Sequence, residues 1–380
     1  MMHSTKIGLV GTGFIAHNLA TLIRHMTQHR YDIAAILTRR EIDSLNDFPY
    51  AENLTNSLNE LIDKSDLIIE CSGDVLHATV VTEEAQNAGL PVLTMNSEFH
   101  VTTGSYFSNR GYLSECHGDQ PGCIAALKEE AEIMGFKPLI LGNFKGFLDE
   151  NPALDTMQYW ADRQQFTVKQ TTSFTDGTKV QIEQAFVANA FDATIFQEGL
   201  LGVRTNNYEQ TAKELAAKAD ALGAMVSDYI ISDEELPSGI FIAGTHNGDQ
   251  GDSLQTYKLG PGPYYVLNTS YHLCAFEILK TVNRYLLGLP PLLNVKSPNI
   301  SVAAIAKKAL TKDSVINSAI GSMECRGEVV FANKHPQHVP IGVLENARLK
   351  RDIDPGQIIT FDDIDIEPSR ALEIVQELFI

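Results

Sequence analysis

Lys6 to Ala16, KIGLVGTGFIA, is the stretch on which the reading of this chain turns. A short apolar run, Ile7 to Val10, ends in Gly11-Thr12-Gly13, and a helix-permissive run, Ile15 to Ile23, follows at once. That order predicts a strand, a tight turn and a helix. Glycines there let the backbone turn sharply and lie close to a pyrophosphate. The helix start then offers N–H groups and the positive end of its dipole. A G-x-G-x-x-A pattern by itself is also compatible with an ordinary glycine turn in a parallel sheet. The βαβ alternation that continues beyond it favours a dinucleotide site formed by Gly11, Thr12, Gly13, Phe14 and Ile15.

The chain has 380 residues, enough for two or three domains with their own cores. Its 44% hydrophobic content is that of a globular protein, and no apolar run reaches the ~18 residues of a membrane span. No basic segment precedes an apolar one at the start, so no signal peptide is read. A net charge of −19 argues against nucleic acid or an anionic membrane as partner. The five cysteines, Cys71, Cys116, Cys123, Cys274 and Cys325, form no C-x-x-C pair, which suits reduced thiols and a cytoplasmic location.

Outward from the glycine turn, Ile33 to Thr38 reads as a second buried strand. An NAD-selective fold usually closes this strand with an acidic residue that binds the ribose 2′-OH. Here Thr38-Arg39-Arg40 stands in that place. Arginines can pair a 2′-phosphate, so NADP(H) is preferred and NAD(H) remains possible, although both arginines also suit an exposed loop. A short helix is expected over Asn56 to Asp63. Leu67 to Cys71 reads as a third strand ending in Ser72-Gly73-Asp74, with Ser72 and Gly73 placed to pass a nicotinamide ribose. A helix over Ala78 to Ala88 stops at Gly89. Pro91 to Asn96 is the next strand, carrying Asn96 and Glu98 at the sheet's carboxyl edge, and Gly111 to Glu115 is another. His117-Gly118-Asp119-Gln120-Pro121-Gly122 leads into a helix from about Cys123 to Met134. Asp119, Gln120 and Pro121 either face the nicotinamide or only cap that helix. Lys137 to Leu141 adds a last strand, and Lys145 follows it in Gly142-Asn143-Phe144-Lys145-Gly146. A lysine between glycines at a strand end is placed for chemistry, and equally suits a surface loop.

Asn151 to Phe166 is expected as a helical or loop excursion. Asp176-Gly177 marks a turn, and the run to Ala190 reads as a helix that puts Lys179 and Glu183 on one face. An i,i+4 ion pair in solvent would explain them. The apolar company of Ile182, Ala185, Phe186, Val187 and Ala188 buries the helix instead, and buried charges need partners or a job. Asn206 to Ala224 reads as a helix and Pro237 to Gly251 as loop. Thr245 to Asp249 is polar but satisfies no metal-ligand spacing. Leu259 to Leu267 turns into a strand, and Tyr271-His272 stands before a helix over Ala275 to Leu287, where His272 either binds substrate or relays a proton, or is a packed cap residue, the simpler role. Pro290-Pro291 ahead of Lys296 marks a linker. Asn299 to Leu310 and Arg348 to Asp365 read as pieces of one small β domain, structural or oligomer-forming.

GTGFIA, MNSEF, HGDQPG, GNFKG, SFTDGTKVQIEQAFVANA, GPGPYYVL and YHLCAFE together resemble the 1-deoxy-D-xylulose 5-phosphate reductoisomerase-like oxidoreductases, relatives of homoserine dehydrogenase with a C-terminal SAF domain. ARLKRDIDPGQIITFDDID resembles that SAF module. The resemblance spans nearly the whole chain, and GDQPG with TDGTK…E…VANA is its specific part. It implies an α/β protein: a Rossmann domain over 1–143, an α+β catalytic and dimerisation domain over 144–292, and a small β-rich SAF (β-clip) domain over 293–380. It also implies NADP(H) and hydride transfer to or from a small, sugar-phosphate-like or hydroxy/oxo substrate, with or without rearrangement, in a homodimer or higher homo-oligomer.

Within that picture Lys145 matches a lysine of homoserine-dehydrogenase-like sites and polarises the carbonyl. Lys179 is a second cation for a phosphate or carboxylate. Asp176 and Glu183 orient the lysines, bind hydroxyls or hold a divalent ion, while Asn189 and His272 complete the wall. The rival readings are a homoserine dehydrogenase proper, a non-catalytic dinucleotide sensor assembled through the SAF module, and an enzyme of surface-sugar synthesis.

Overall fold

The computed structural model describes residues 4–27, 30–164, 166–232, 239–295 and 297–379. Pro237 and Lys296, which the sequence placed in a loop and at a linker, lie outside the described residues. The chain divides into two compact units, Met1–Gly122 with Leu273–Lys296, and Cys123–His272 with Ser297–Ile380.

The first unit is built on six strands: β1 (Thr5–Val10), β2 (Tyr31–Leu37), β3 (Leu54–Thr55), β4 (Leu67–Glu70), β5 (Val92–Thr94) and β6 (Leu113–Glu115). Their order is β3-β2-β1-β4-β5-β6, and every pairing is parallel. Parallel strands buried on both faces read as continuous apolar runs, which is what Ile7 to Val10 and Leu67 to Ile69 show. Helices α1 (Phe14–His25), α2 (Leu58–Lys64) and α3 (Val75–Asn87) form the crossovers. The order reverses at β1, whose neighbours are β2 and β4, and the carboxyl end beside such a reversal is where open α/β sheets bind ligands.

Residues 273–292, expected with the catalytic domain, pack with this first unit instead. The cause is apolar: Ala275, Ile278, Leu279 and Val282 of the segment around helix Ile278–Leu286 join the core formed by Ile7, Leu9, Leu19, Ile33 and Leu67.

The second unit centres on a mixed sheet of β7 (Phe136–Lys145), β8 (Val203–Thr205), β9 (Val226–Ser232), β10 (Ile240–His246) and β11 (Tyr265–Thr269), ordered β11-β10-β7-β9-β8. Strand β10 occupies the segment read from sequence as loop. Ile240, Phe241, Ile242 and Ala243 are buried and pair antiparallel with both β7 and β11. Gly239 and Gly244 punctuate the sequence there, yet both lie close against neighbouring backbone: a Cβ on Gly244 would stand 2.1 Å from the Lys137 carbonyl oxygen. They mark tight packing between strands, not a turn.

Helix α4 (Gln120–Ile133) enters this unit at Cys123. Cys123, Ile124 and Leu127 pack with Leu141, Val187, Ile240 and Ile242. The expected excursion is two helices, α5 (Leu154–Gln164) and α6 (Val168–Thr175). They are followed by α7 (Thr178–Ala190) and, after β8, by α8 (Tyr208–Leu222). Helix α8 lays Ala212, Leu215, Ala216 and Ala219 against Ile140, Ile230 and Phe241. Asn207 caps its start by accepting from the Gln210 amide, and Gly223, in the left-handed region at φ 73°, ends it.

The C-terminal segment is β-rich, with β12 (Ile300–Ala306) paired to β14 (Cys325–Phe331), and β13 (Val315–Ser318), β15 (Glu345–Leu349) and β16 (Ile364–Asp365) in a second small sheet. It packs on α7, which also lies on β7 and β9. Every α7 residue except Lys179 and Ala190 is therefore buried. A helix enclosed on all sides carries no single apolar stripe.

Among the described residues, no helix is long and apolar enough to cross a membrane, and no group of three His, Cys, Asp or Glu side chains is placed to hold a metal ion. All five cysteines are free thiols.

Candidate functional site

Beyond the carboxyl end of β1 a cleft of about 450 Å³ is lined by Gly11, Thr12, Gly13, Leu37, Thr38, Arg39, Arg40, Cys71, Ser72 and His77. The local sequence explains its shape. Gly11 sits at φ 101°, and a Cβ there would press 3.1 Å from the Cys71 carbonyl oxygen, so the turn closes only with glycine. Gly13 differs. Its φ of −84° suits any residue, and a Cβ there would meet nothing within 4 Å. Nothing inside the fold requires a glycine at position 13. Gly13 also occupies the N-cap of α1, where no side chain caps the helix and no acidic residue stands in the first turn.

The opposite wall is held from below. Thr12 and Thr38 share a hydroxyl contact of 3.2 Å, Arg40 donates from Nη1 to the Thr12 carbonyl at 3.4 Å, and the Asn56 amide donates to the carbonyls of Thr38 and Arg40. Arg39 reaches Asp74 with Nη1 at 2.7 Å from Oδ2. Burial alone would raise the Asp74 carboxyl. The His77 amide, which it accepts, and the Arg39 guanidinium outweigh burial and hold it below its ordinary value. Burial, and then Arg39, push the His77 imidazole down.

Glu70, which sequence reading passed over inside LIIEC, organises the edge beside this cleft. It is fully buried, and burial raises its carboxyl against the hydrogen bonds it accepts. Those come from the Ser72 amide at 2.6 Å, the Asn96 side-chain amide at 3.1 Å and the Thr94 hydroxyl at 3.3 Å. Asn96, expected at the cofactor, is thus spent inside the fold. It donates to Glu70 and accepts from the Phe99 amide, capping the turn Ser97–Phe99. Asp119 is likewise buried and accepts from the Ser97 hydroxyl at 2.7 Å. Gly118, at φ 106°, lies so close to the Cys274 backbone that a Cβ would stand 2.2 Å from its carbonyl oxygen.

Phe14, Ile15, Gly73, Asn96, Glu98, Asp119, Gln120 and Pro121 do not line the cleft, whereas Gly11, Thr12, Gly13, Thr38, Arg39, Arg40 and Ser72 do. In the same unit His100 and Glu115, both fully buried, meet at 3.2 Å, and burial drives the imidazole down to about 3.

The second unit gathers a different set. Lys145, at the end of β7, places Nζ 3.1 Å from Oε2 of Glu183 on α7, and the Asn143 amide donates to the same oxygen at 2.7 Å. Glu183 is 1% exposed and Lys145 18%, so the carboxylate is enclosed while the amine reaches solvent. Asn143 lies two residues before Lys145, hence on the same face of β7. Lys179 is half-buried, one turn ahead of Glu183 on α7. His272 is half-buried at the end of its segment.

Two residues expected in the pocket have other tasks. Asp176 pairs with buried Lys307 at 2.6 Å, with the Ser322 carbonyl as a further acceptor for that amine, and its other oxygen takes the Thr178 amide. Asn189 exchanges two hydrogen bonds with the backbone of Ile300, at 2.7 and 2.8 Å. Gln181 accepts from the Val329 amide and donates to the Gly199 carbonyl, and the Thr178 hydroxyl accepts from the Gly327 amide. Asp176, Thr178, Gln181 and Asn189 of the TDGTKVQIEQAFVANA motif therefore fasten the C-terminal segment.

Residues 118–278 match the family model described as the catalytic domain of oxidoreductase DRL. No curated protein matches the chain. Among solved structures the chain is similar to a probable dehydrogenase from Thermotoga maritima, at 14% identity, 76% of this chain, 91% of that one and a TM-score of 0.43. It is also similar to the dehydrogenase MviM from Clostridium difficile, at 13%, 76%, 93% and 0.42. A third is the UDP-N-acetylglucosamine 3-dehydrogenase GnnA from Acidithiobacillus ferrooxidans, at 13%, 77%, 92% and 0.40. The chain is an oxidoreductase, and the family match falls on the stretch that carries Asn143, Lys145, Lys179 and Glu183.

Proposed function

We propose that this oxidoreductase uses NADP(H), with NAD(H) as a poorer substitute, to reduce or oxidise a small sugar-phosphate-like or hydroxy/oxo substrate. The observation that carries the reading is the cleft beyond β1, where a glycine the fold does not need stands before an uncapped helix and two arginines close the far wall. That donor set suits a dinucleotide: amides at the helix start for the pyrophosphate, and guanidinium groups for a 2′-phosphate.

The cofactor supplies the hydride. Lys145 donates a hydrogen bond to the substrate carbonyl oxygen and stabilises the negative charge that grows there. Glu183 fixes the direction of that amine, while Asn143 holds the carboxylate so that it cannot turn away. Lys179 binds an anionic group of the substrate, and His272 belongs to the same wall. We assign the C-terminal β segment to a SAF-like module, the assembly to a homodimer and the location to the cytoplasm.

A screen of sugar phosphates and hydroxy acids against NADP+ and NADPH, read by absorbance of the reduced ring, tests the reading. With the substrate found, Lys145→Ala should lower kcat by about 10²–10⁴-fold and leave cofactor affinity nearly unchanged. Unchanged turnover removes Lys145 from the mechanism. A chain that binds NADPH but oxidises it with no member of the screen favours the non-catalytic sensor.

A further inference from the structure

We propose that Asp74 sets the cofactor preference of the cleft by competing with the 2′-phosphate for Arg39, an inference that rests on the dinucleotide reading above. The two arginines of the wall are not equivalent. Among the described residues Arg40 makes no ion pair, and the one hydrogen bond its guanidinium makes there is to the Thr12 carbonyl, at 3.4 Å. Arg39 is already engaged, 2.7 Å from Asp74.

Asp74 is no mobile surface carboxylate. It caps α3, accepting the His77 amide at 3.0 Å through Oδ1, which leaves Oδ2 fixed toward Arg39. Its side chain is 20% exposed, against 62% for Arg39, so the anchored partner is the acid and the movable one the base. Its lowered carboxyl keeps the charge in place at neutral pH.

A dianionic phosphate arriving at Thr38-Arg39-Arg40 finds Arg40 ready. It must draw Arg39 away from the Asp74 carboxylate. A dinucleotide with a plain 2′-hydroxyl faces no such competition. Asp74 therefore weakens NADP(H) selectively and narrows the gap between the two cofactors. It is a positioning residue, acting through Arg39, and sequence alone shows it only as the residue after a strand-end Ser-Gly.

The test is a set of titrations with NADP+ and NAD+ on the full chain and on Asp74→Asn, Asp74→Ser, Arg39→Ala and the Arg39→Ala/Asp74→Asn pair. Asn and Ser both keep a helix-capping oxygen, so one variant remains if the other folds poorly. The expected result is NADP+ tightened roughly three- to tenfold in both Asp74 variants, NAD+ changed by less than about twofold, and a gain that shrinks with added salt. In the Arg39→Ala background the Asp74 change should have no effect on NADP+.

Weaker or unchanged NADP+ binding in the Asp74 variants, with the wild-type chain still binding dinucleotide, overturns this proposal alone. A gain that persists without Arg39 also overturns it. A wild-type chain that binds neither dinucleotide overturns the underlying reading together with it.

Discussion

The cleft beyond β1 and the helix α7 carry similar residue types, and the fold treats them in opposite ways. Around the cleft, the fold leaves functional-looking features unused: Gly13 has room it does not need, α1 starts without a side-chain cap, and Arg40 has no acid partner among the described residues. Along α7 and the turn before it nearly every polar side chain is consumed by the fold, with Asp176 of the turn on Lys307, and Asn189 on Ile300 and Gln181 on Val329 from the helix. Buried polar groups must be partnered whatever their role, so partnering inside α7 is no sign of chemistry. Within that helix only the Lys179–Glu183 face, with Lys145 reaching solvent, keeps the character of a site.

The largest effect expected from this contrast lies in the turn that leads into α7. Asp176→Ala leaves the Lys307 ammonium buried without its counter-charge, and should cost about 3–5 kcal/mol in urea unfolding. Adding Lys307→Met should recover most of that loss. If Asp176→Ala instead unfolds like the wild type while turnover collapses, the acid belongs to catalysis and the contrast fails.

The next effect is a pH dependence in the first unit. His100 is held at about 3, below its ordinary 6.5. Between those values the unfolded chain binds a proton on this imidazole and the folded chain does not, so stability is fully present above pH 6.5 and is lost as pH falls. The slope should approach about 1.4 kcal/mol per pH unit. His100→Gln should flatten the denaturation midpoint between pH 6.5 and 4; equal slopes in the two proteins would mean that the imidazole is solvated or already charged.

Smaller again is Asn189→Ala, which strips two hydrogen bonds from the Ile300 backbone and should cost about 1–3 kcal/mol with KM unchanged. A raised KM would return Asn189 to the pocket wall.

The first unit was largely legible because its signals are local. Gly11 and Gly13 after an apolar run, the helix-permissive run Ile15 to Ile23 and the apolar Leu67 to Ile69 are each legible within a few neighbouring residues. What the sequence hid were pairings between distant positions. Glu183 meets Asn143 and Lys145 from about forty residues away in the chain, and Asp176 meets Lys307 across a far longer interval, so no local pattern announces either pair. Strand β10 was missed because Gly239 and Gly244 punctuate like a loop although each serves close strand packing. Residues 273–292 were placed by chain order, but the apolar side chains Ile278, Leu279 and Val282 followed the nearest open core. Asn96 and Asp119 had the right chemistry at the right edge, and the unread groups Glu70 and Ser97 had prior use for them.

The smallest structural change makes the most direct test. Gly13→Ala adds a methyl where the fold has open space and ordinary backbone angles, so its melting temperature should match the wild type. Titrating both proteins with NADPH, read by the fluorescence of the reduced ring, should give saturable binding to the wild type and at least roughly tenfold weaker binding to the variant, because the methyl stands where a pyrophosphate must approach. Equal affinity in the two proteins, or none in the wild type, would contradict the account.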